Sequence, residues 1–533
     1  MSSWFLFFPF FVALLICILI KKRCNTKHTI LYPPGPCKLP FIGNCLHLLF
    51  HGSPHRALWH LSKKHGPIMH LQLGRIPVLV ISSAELAKEV LKTNDLNFSS
   101  RPSLVCLEKF SYNSMDVSFS SYNEYWKEMR KIFVFELVNP KRVLSFRSIR
   151  VEEVAFMIDS ISQSSCKPID LSEHLLSLTF TIICRIAFGR EFDKIRFRPI
   201  VYECMETIGS YFAADLFPFF GCVIDVLTGQ HSKLQKNFHN LDKFLHQVIN
   251  QHIDSDQRRP TSQQDDIINI LLGLEKGGVG PVQISKNRIK ALLMVISLFR
   301  LPVFVSRIEI LKCIVNGARM SQSVPTVVDN SNIFVGGIGT STTTMVWAMT
   351  ELVKNPRTMN KVQDEVRNCV GKQGNVEETD LCKLHYLKMV LKETLRLHPP
   401  GPMSIPRESI RHCKINNYDI LPKTTVLVNA WAIGRDPTSW ENPEVFFPER
   451  FMTNSIDFRG QHFEFLPFGS GRRGCPGISL ATTIMELTLA NLLYSFNWEL
   501  PYGLRPEDMN TDESGTFAVH KKSALELVPV MYK

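Results

Sequence analysis

The chain has 533 residues, enough to bury a large core, and its 45% hydrophobic and 21% charged composition excludes wholesale disorder. Its 61 basic residues outnumber 49 acidic ones for a net charge of +12, which favours acidic partners or anionic surfaces, but no Lys/Arg block is dense enough to indicate nucleic acid. The 14 cysteines are scattered without a C-x-x-C, which argues against a disulfide framework or zinc finger and for a reducing compartment.

From Trp4 to Ile20 the chain is apolar apart from an interruption at Pro9, and Lys21, Lys22 and Arg23 follow at once. The run reaches the lower limit of a bilayer span of ~20 residues. A cleaved signal peptide carries its basic residues ahead of the apolar run. The order here predicts a retained membrane anchor over residues 1–23, with the rest of the chain cytosolic. Pro33-Pro34-Gly35-Pro36, within a segment 24–40, reads as a stiff hinge that cannot enter a helix or a sheet interior. The body is then 41–533.

In that body, His70 to Ile81 alternates around Gly74 and Pro77 as a hairpin, and Lys414 to Val428 reads as two short strands around Leu421-Pro422. Helical periodicity marks Ala84–Thr93, Leu171–Phe188, Leu234–Ile253, Thr358–Val370, Leu384–His398 and Ile478–Phe496. The balance is a mostly helical α+β body with a small β portion.

The centre of the chain departs from that regularity. Lys286–Met294 begins a helix, and Asn332–Lys354 reads as its continuation. Between them lies Val295–Ser331, where Pro302, Gly317 and Pro325 argue against a continuous helix. The apolar portion Val295–Val305 is too short for a membrane span and contains Arg300. Just beyond, Gly336-Gly337-Ile338-Gly339-Thr340-Ser341 is glycine-rich without the Lys of a phosphate-binding loop.

The most informative stretch is Phe468-Gly469-Ser470-Gly471-Arg472-Arg473-Gly474-Cys475-Pro476-Gly477, which opens a helix at Ile478. Glycines let the backbone turn N–H groups toward one sulfur, and the helix start adds a positive dipole end. Cys475 should therefore favour its thiolate. A thiolate held in such a loop is a metal ligand or a nucleophile. Zinc would need a second nearby ligand and nucleophilic catalysis a His partner, whereas haem iron needs one protein ligand on this side. A buried cysteine in a tight turn remains the plain alternative.

The spacing F-x-x-G-x-R-x-C-x-G resembles the cysteine loop of the cytochrome P450 family. Glu393-Thr394-Leu395-Arg396 resembles that family's E-x-x-R, Pro448-Glu449-Arg450-Phe451 its P-E-R-F segment, and Trp126 with Arg130 its W-x-x-x-R. The resemblance covers nearly the whole chain, to a last strand near Phe517. The anchor, the hinge and Leu397-His398-Pro399-Pro400 look most like the plant microsomal branch.

The resemblance implies a triangular helical body with minor β-sheets and a single anchor in the endoplasmic reticulum membrane. It implies haem b, with Cys475 as the iron ligand, O2 as co-substrate, and NADPH acting through NADPH-cytochrome P450 reductase. Trp126, Arg130, Arg407 and Arg473 match positions that hold the haem propionates, Phe468 packs on the sulfur side, and Gly477 follows the ligand. Glu393, Arg396 and Arg450 would form a buried structural triad. Gly336, Gly337, Met403, Ile405 and Phe517 fall where the family lines its substrate pocket. Lys127, Lys131 and Arg472 would steer the reductase, and the substrate would be a small lipophilic plant metabolite, a terpenoid before an alkaloid or phenolic.

Thr340 matches the hydroxyl that delivers protons during oxygen activation, but its usual acidic neighbour is Gly339 here. Water, or Thr340 with Ser341, must take over that relay. The alternative is an isomerase or dehydratase that needs none. The segment 295–331 matches nothing in the family pattern and interrupts the helix expected to cross the haem. Either it is a retained intron, leaving this form haem-poor and inactive, or it is a genuine looped insertion.

Overall fold

The hairpin forms where alternation places it. Ile68–Leu73 (β1) and Ile76–Ile81 (β2) pair antiparallel in the register Ile68↔Ile81 to Leu73↔Ile76, turning at Gly74 with φ +58°. Leu71, Leu73, Val78 and Val80 face one hydrophobic cluster, while Ile68, Leu79 and Ile81 face another, as the two-residue period of a strand requires. The computed structural model describes residues 30–40, 42–49, 53–189, 193–210, 212–217, 220–256, 266–277, 284–297, 336–371, 374–515 and 519–532. The expected anchor, Phe517, and all but the first residues of the 295–331 segment lie outside the described residues.

β2 also pairs in parallel with Thr425–Val428 (β4), which pairs antiparallel with Arg407–Glu408 (β3), giving the order β1-β2-β4-β3. The second strand pair expected in Lys414–Val428 is thus divided. Cys413–Ile415 pairs with Tyr418–Ile420, while Thr425–Val428 joins the larger sheet. The hinge is no free spacer. The Pro34 carbonyl accepts the His70 N–H at 2.8 Å, and Asn44 Nδ2 donates to Pro36 and Cys37 carbonyls. Proline lacks an N–H but keeps its carbonyl, so a proline segment can line a sheet edge.

Leu171–Phe188 is apolar around most of its circumference and lies buried against Gly339–Lys354. It is long and apolar enough to cross a bilayer, but it is a core helix. Thr179 and Thr342 hydroxyls meet at 2.6 Å across that contact. As the expected interruption requires, the region 286–354 holds two separate helices among the described residues, Lys286–Ser297 and Gly339–Lys354. The second starts at Gly339, after a turn at 336–338, since the glycines there are poor helix formers. The last strand is Glu526–Met531, beyond the expected position near Phe517. It pairs with Phe496–Glu499 and Ile169–Asp170.

Candidate active site

The cysteine loop descends from Pro467 to the helix Ile478–Ser495. Gly469 and Gly471 take φ of +67° and +70°, and a Cβ on Gly471 would sit 2.4 Å from the Leu91 carbonyl oxygen. Glycine is required there twice over, by conformation and by contact. The Cys475 N–H donates to the Phe468 carbonyl at 2.9 Å, closing the loop under the sulfur. Arg130 donates to the Gly474 carbonyl from the helix Glu124–Ile132.

Cys475 lines the interior cavity and keeps accessible surface there, while protein packs closely around its thiol sulfur. Burial pushes that thiol up, and the Gly477 amide and Arg130 guanidinium pull it down by less. In the chain without its cofactor, burial thus works against the thiolate more than the Gly477 amide and Arg130 favour it. A cation bound at the sulfur would reverse the balance.

The cavity, about 270 Å³, reaches from Cys475 to the first turns of Gly339–Lys354. Of the expected site residues, it is lined by Arg130, Gly336, Gly337, Thr340, Ser341, Ile405, Arg407, Phe468, Arg473, Cys475 and Gly477. Met403 is buried beside it without lining it. Trp126 does not line it either. Its indole N–H donates to the Val117 carbonyl at 2.9 Å, and its ring lies 4.0 Å beneath the Arg473 guanidinium. Trp126 therefore holds Arg473 in place rather than facing the cavity.

Arg101 was not anticipated. It is buried, lines the cavity, and donates to the carbonyls of Ser118, Ile405 and Pro406 at 2.7–2.9 Å. Arg473 donates to Ser99 and Ser120 carbonyls, and Arg407 to that of Ser470. Burial, then mutual repulsion, pushes Arg101 and Arg473 down, Arg473 to about 9. A guanidinium does not give up its proton in a protein, so the shift expresses unbalanced positive charge. Arg101, Arg130, Arg407 and Arg473 face two carboxylates, Asp95 and Asp116. Asp95 is also shared with Arg472, so guanidiniums outnumber carboxylates here and the surplus positive charge suits an anionic ligand. No group of three His, Cys, Asp or Glu side chains able to hold a bare metal ion occurs among the described residues. A lone cysteine with an anion cradle beside it fits haem b, which brings four iron ligands and two carboxylates of its own.

On the opposite wall, Thr340 Oγ1 donates to the Gly336 carbonyl at 2.7 Å. Ser341 Oγ is buried without a hydrogen-bond partner among the described residues. Gly339, the first residue of the helix, places no carboxyl beside them.

Behind the site the triad is assembled. Glu393 and Arg396 have fully buried side chains and share two bonds, at 2.7 and 2.8 Å. Arg450 Nε reaches Glu393 Oε1 at 3.0 Å. Arg396 also donates to Gly434 and Pro443 carbonyls, so the guanidinium is satisfied on all sides. The cations expected to steer a partner are less free. Lys127 pairs with Glu124, Lys131 with Glu128, and Arg472 with Asp95, because carboxylates sit three residues away on the helix or across the loop.

The family model for cytochrome P450 matches residues 33–298 and 326–527. The chain is 42% identical over its whole length to cytochrome P450 71B34 of Arabidopsis thaliana, covering 99% of that protein. It is 43% identical to cytochrome P450 71A9 of Glycine max, covering 98% of both, and 44% identical to cytochrome P450 71A1 of Persea americana, covering 89% of both. A zebrafish cytochrome P450 solved with progesterone shares the fold with a TM-score of 0.68 at 23% identity, covering 90% of this chain and 99% of that one. The chain therefore belongs to the cytochrome P450 family of haem-thiolate monooxygenases, within its plant 71 group.

Proposed function

We propose that this chain is a monooxygenase anchored in the endoplasmic reticulum membrane that hydroxylates or epoxidises a small lipophilic plant metabolite. The reading favours a terpenoid over an alkaloid or phenolic. One observation carries it: a single cavity holds Cys475, the buried guanidiniums of Arg101, Arg407 and Arg473 with the half-buried Arg130, and the Thr340–Ser341 hydroxyls. Electrons come from NADPH through NADPH-cytochrome P450 reductase, and the apolar run 4–20 followed by three basic residues supports the anchor.

Cys475 would ligate the iron, with Arg101, Arg130, Arg407 and Arg473 holding the carboxylates. Bound there, haem b supplies oxygen activation: one oxygen atom enters a C–H or C=C bond of the substrate, the other leaves as water, and NADPH provides two electrons. Phe468 and the 466–475 loop exclude water from the sulfur. Thr340 holds a proton at Oγ1, now directed at the Gly336 carbonyl, and rotation turns it toward the cavity. Ser341 Oγ is a second hydroxyl beside it, so protons pass through water to these two groups in place of an acid at 339. Leucine, isoleucine and valine side chains dominate the rest of the wall, which suits a substrate held by shape.

The test is reconstitution with the reductase and a panel of terpenoids, alkaloids and phenolics. A type I spectral shift followed by NADPH-dependent product supports the reading. Product without NADPH points to the isomerase. Absence of a reduced carbon-monoxide spectrum points to the haem-poor form. The family match breaks between 298 and 326, as either a retained intron or a genuine looped insertion within 295–331 would require, and a transcript lacking the segment would support the intron. A transcript encoding the whole segment would overturn the intron.

A further inference from the structure

The segment carrying cavity residues Val117 and Ser118 begins in an unusual backbone. Tyr112, Asn113 and Ser114 all have positive φ, at +53°, +63° and +57°. Left-handed residues other than glycine normally occur singly, and three in succession cost energy that other contacts must offset. Part of the compensation is local: Asn113 and Met115 amides donate to Glu108 and Ser111 carbonyls, and the Ser114 amide to Ser111 Oγ.

The rest is tertiary and centres on one side chain. Tyr112 is buried, its ring packs 5.2 Å from Phe238, and its hydroxyl donates to Asp242 Oδ1 at 2.7 Å. Lys290 Nζ, itself buried, donates to the same oxygen at 2.6 Å and lies 5.7 Å from the Tyr112 ring. Burial alone would raise the Asp242 carboxyl, but bonds from Lys290 and Tyr112 hold it below its ordinary value. The carboxylate is thus charged and fixed, and it grips the turn from the helix Gln230–Asp256 while Lys290 braces it from Lys286–Ser297.

We propose that Tyr112 is a positioning residue for the substrate. Its tether to the Asp242–Lys290 pair holds the left-handed turn at 112–114 and so sets where Val117 and Ser118 stand in the cavity wall. It touches neither substrate nor cofactor. The inference rests on the reading of this cavity as the substrate site, and its primary readout, amide exchange, does not depend on turnover.

Tyr112→Phe keeps the ring and removes only the tether. Loss of a hydrogen bond to a charged group should raise hydrogen exchange at the 113–115 amides about tenfold. In the haem-loaded enzyme it should also speed dissociation of phenylimidazole severalfold, while the carbon-monoxide spectrum keeps its intensity. Asp242→Asn, which keeps a neutral acceptor for Tyr112, should have a smaller effect than Tyr112→Phe, and Asp242→Leu, which also leaves Lys290 unpaired, at least as large a one. The double variant Tyr112→Phe with Asp242→Leu should be no worse than Asp242→Leu alone. Unchanged exchange at 113–115 in both Tyr112→Phe and Asp242→Leu would overturn the proposal, as would altered exchange with unaltered phenylimidazole dissociation. Equal effects of Asp242→Asn and Asp242→Leu would overturn it too.

Discussion

The Thr340 hydroxyl lies 2.7 Å from the Gly336 carbonyl, bonded back to the turn that precedes its helix rather than into the cavity it lines. That bond must break before Thr340 can donate a proton across the cavity. Thr340→Ala should therefore lower product formed per NADPH by roughly tenfold, less than the roughly hundredfold or more a positioned acid provides, because Ser341 and water remain as a second route. The lost electrons should appear as hydrogen peroxide, measured beside NADPH consumption. Ser341→Ala removes a buried hydroxyl without a partner, so it should raise stability by about 1 kcal/mol while lowering coupling.

The Glu393–Arg396 pair is buried on both sides, where removing one partner strands the other charge. Arg396→Ala should cost about 3–5 kcal/mol. Arg396→Lys should also be severe, since an ammonium cannot reproduce the two-pronged bond to Glu393 and the carbonyls of Gly434 and Pro443 together. Both predict low yields of haem-loaded protein, read from the carbon-monoxide difference spectrum.

Two glycines of the cysteine loop separate conformational strain from collision. At Gly469 a Cβ meets nothing within 4 Å, so Gly469→Ala should cost roughly 1–2 kcal/mol from its left-handed backbone alone. At Gly471 the same substitution also drives Cβ into the Leu91 carbonyl, at 2.4 Å. Gly471→Ala should lose haem where Gly469→Ala retains most of it.

Much of this was legible in the sequence, and the exceptions share a cause. The cysteine loop and the Glu393–Arg396 pair are carried by neighbours in the chain, so local spacing reveals them. Arg101 is held by carbonyls of Ser118, Ile405 and Pro406, two of them some three hundred positions away, and no local pattern marks it beyond an arginine before Pro102 in a serine run. The Trp126 motif was readable, but the direction of its N–H depends on where the fold places Val117. Burial of the Cys475 sulfur, which raises its thiol in the free chain, is likewise invisible in local spacing.

Arg101 supplies a direct check. Arg101→Gln keeps donors for the backbone carbonyls and removes the charge. It should speed haem loss to a scavenger protein several-fold, with the folded state kept. An unchanged rate of loss would remove Arg101 from the anion cradle.

Asp116 makes stability depend on pH. Its carboxyl is fully buried and pushed up from 3.8 to about 6, mainly by burial, against amide bonds from Phe119 and Ser118. The folded chain then holds this proton more tightly than the unfolded one, so its contribution is complete below about 3.8 and is lost as pH rises through about 6. The change is about 3 kcal/mol. Asp116→Asn should flatten that dependence, so thermal unfolding should show the variant gaining on wild type between pH 4 and about 7.

The parallel pairing of Val78–Ile81 with Thr425–Val428 also constrains the order of assembly during synthesis. At about 5–20 residues per second, the ribosome needs roughly 20 to 70 seconds to travel the roughly 350 residues between these strands. Throughout that interval β2 has β1 as its only sheet neighbour, leaving one edge unsatisfied. Arg407 is made only near the end of that interval, and the cysteine loop later still. The nascent chain thus cannot capture its cofactor early, and its first hairpin is the element most in need of a chaperone.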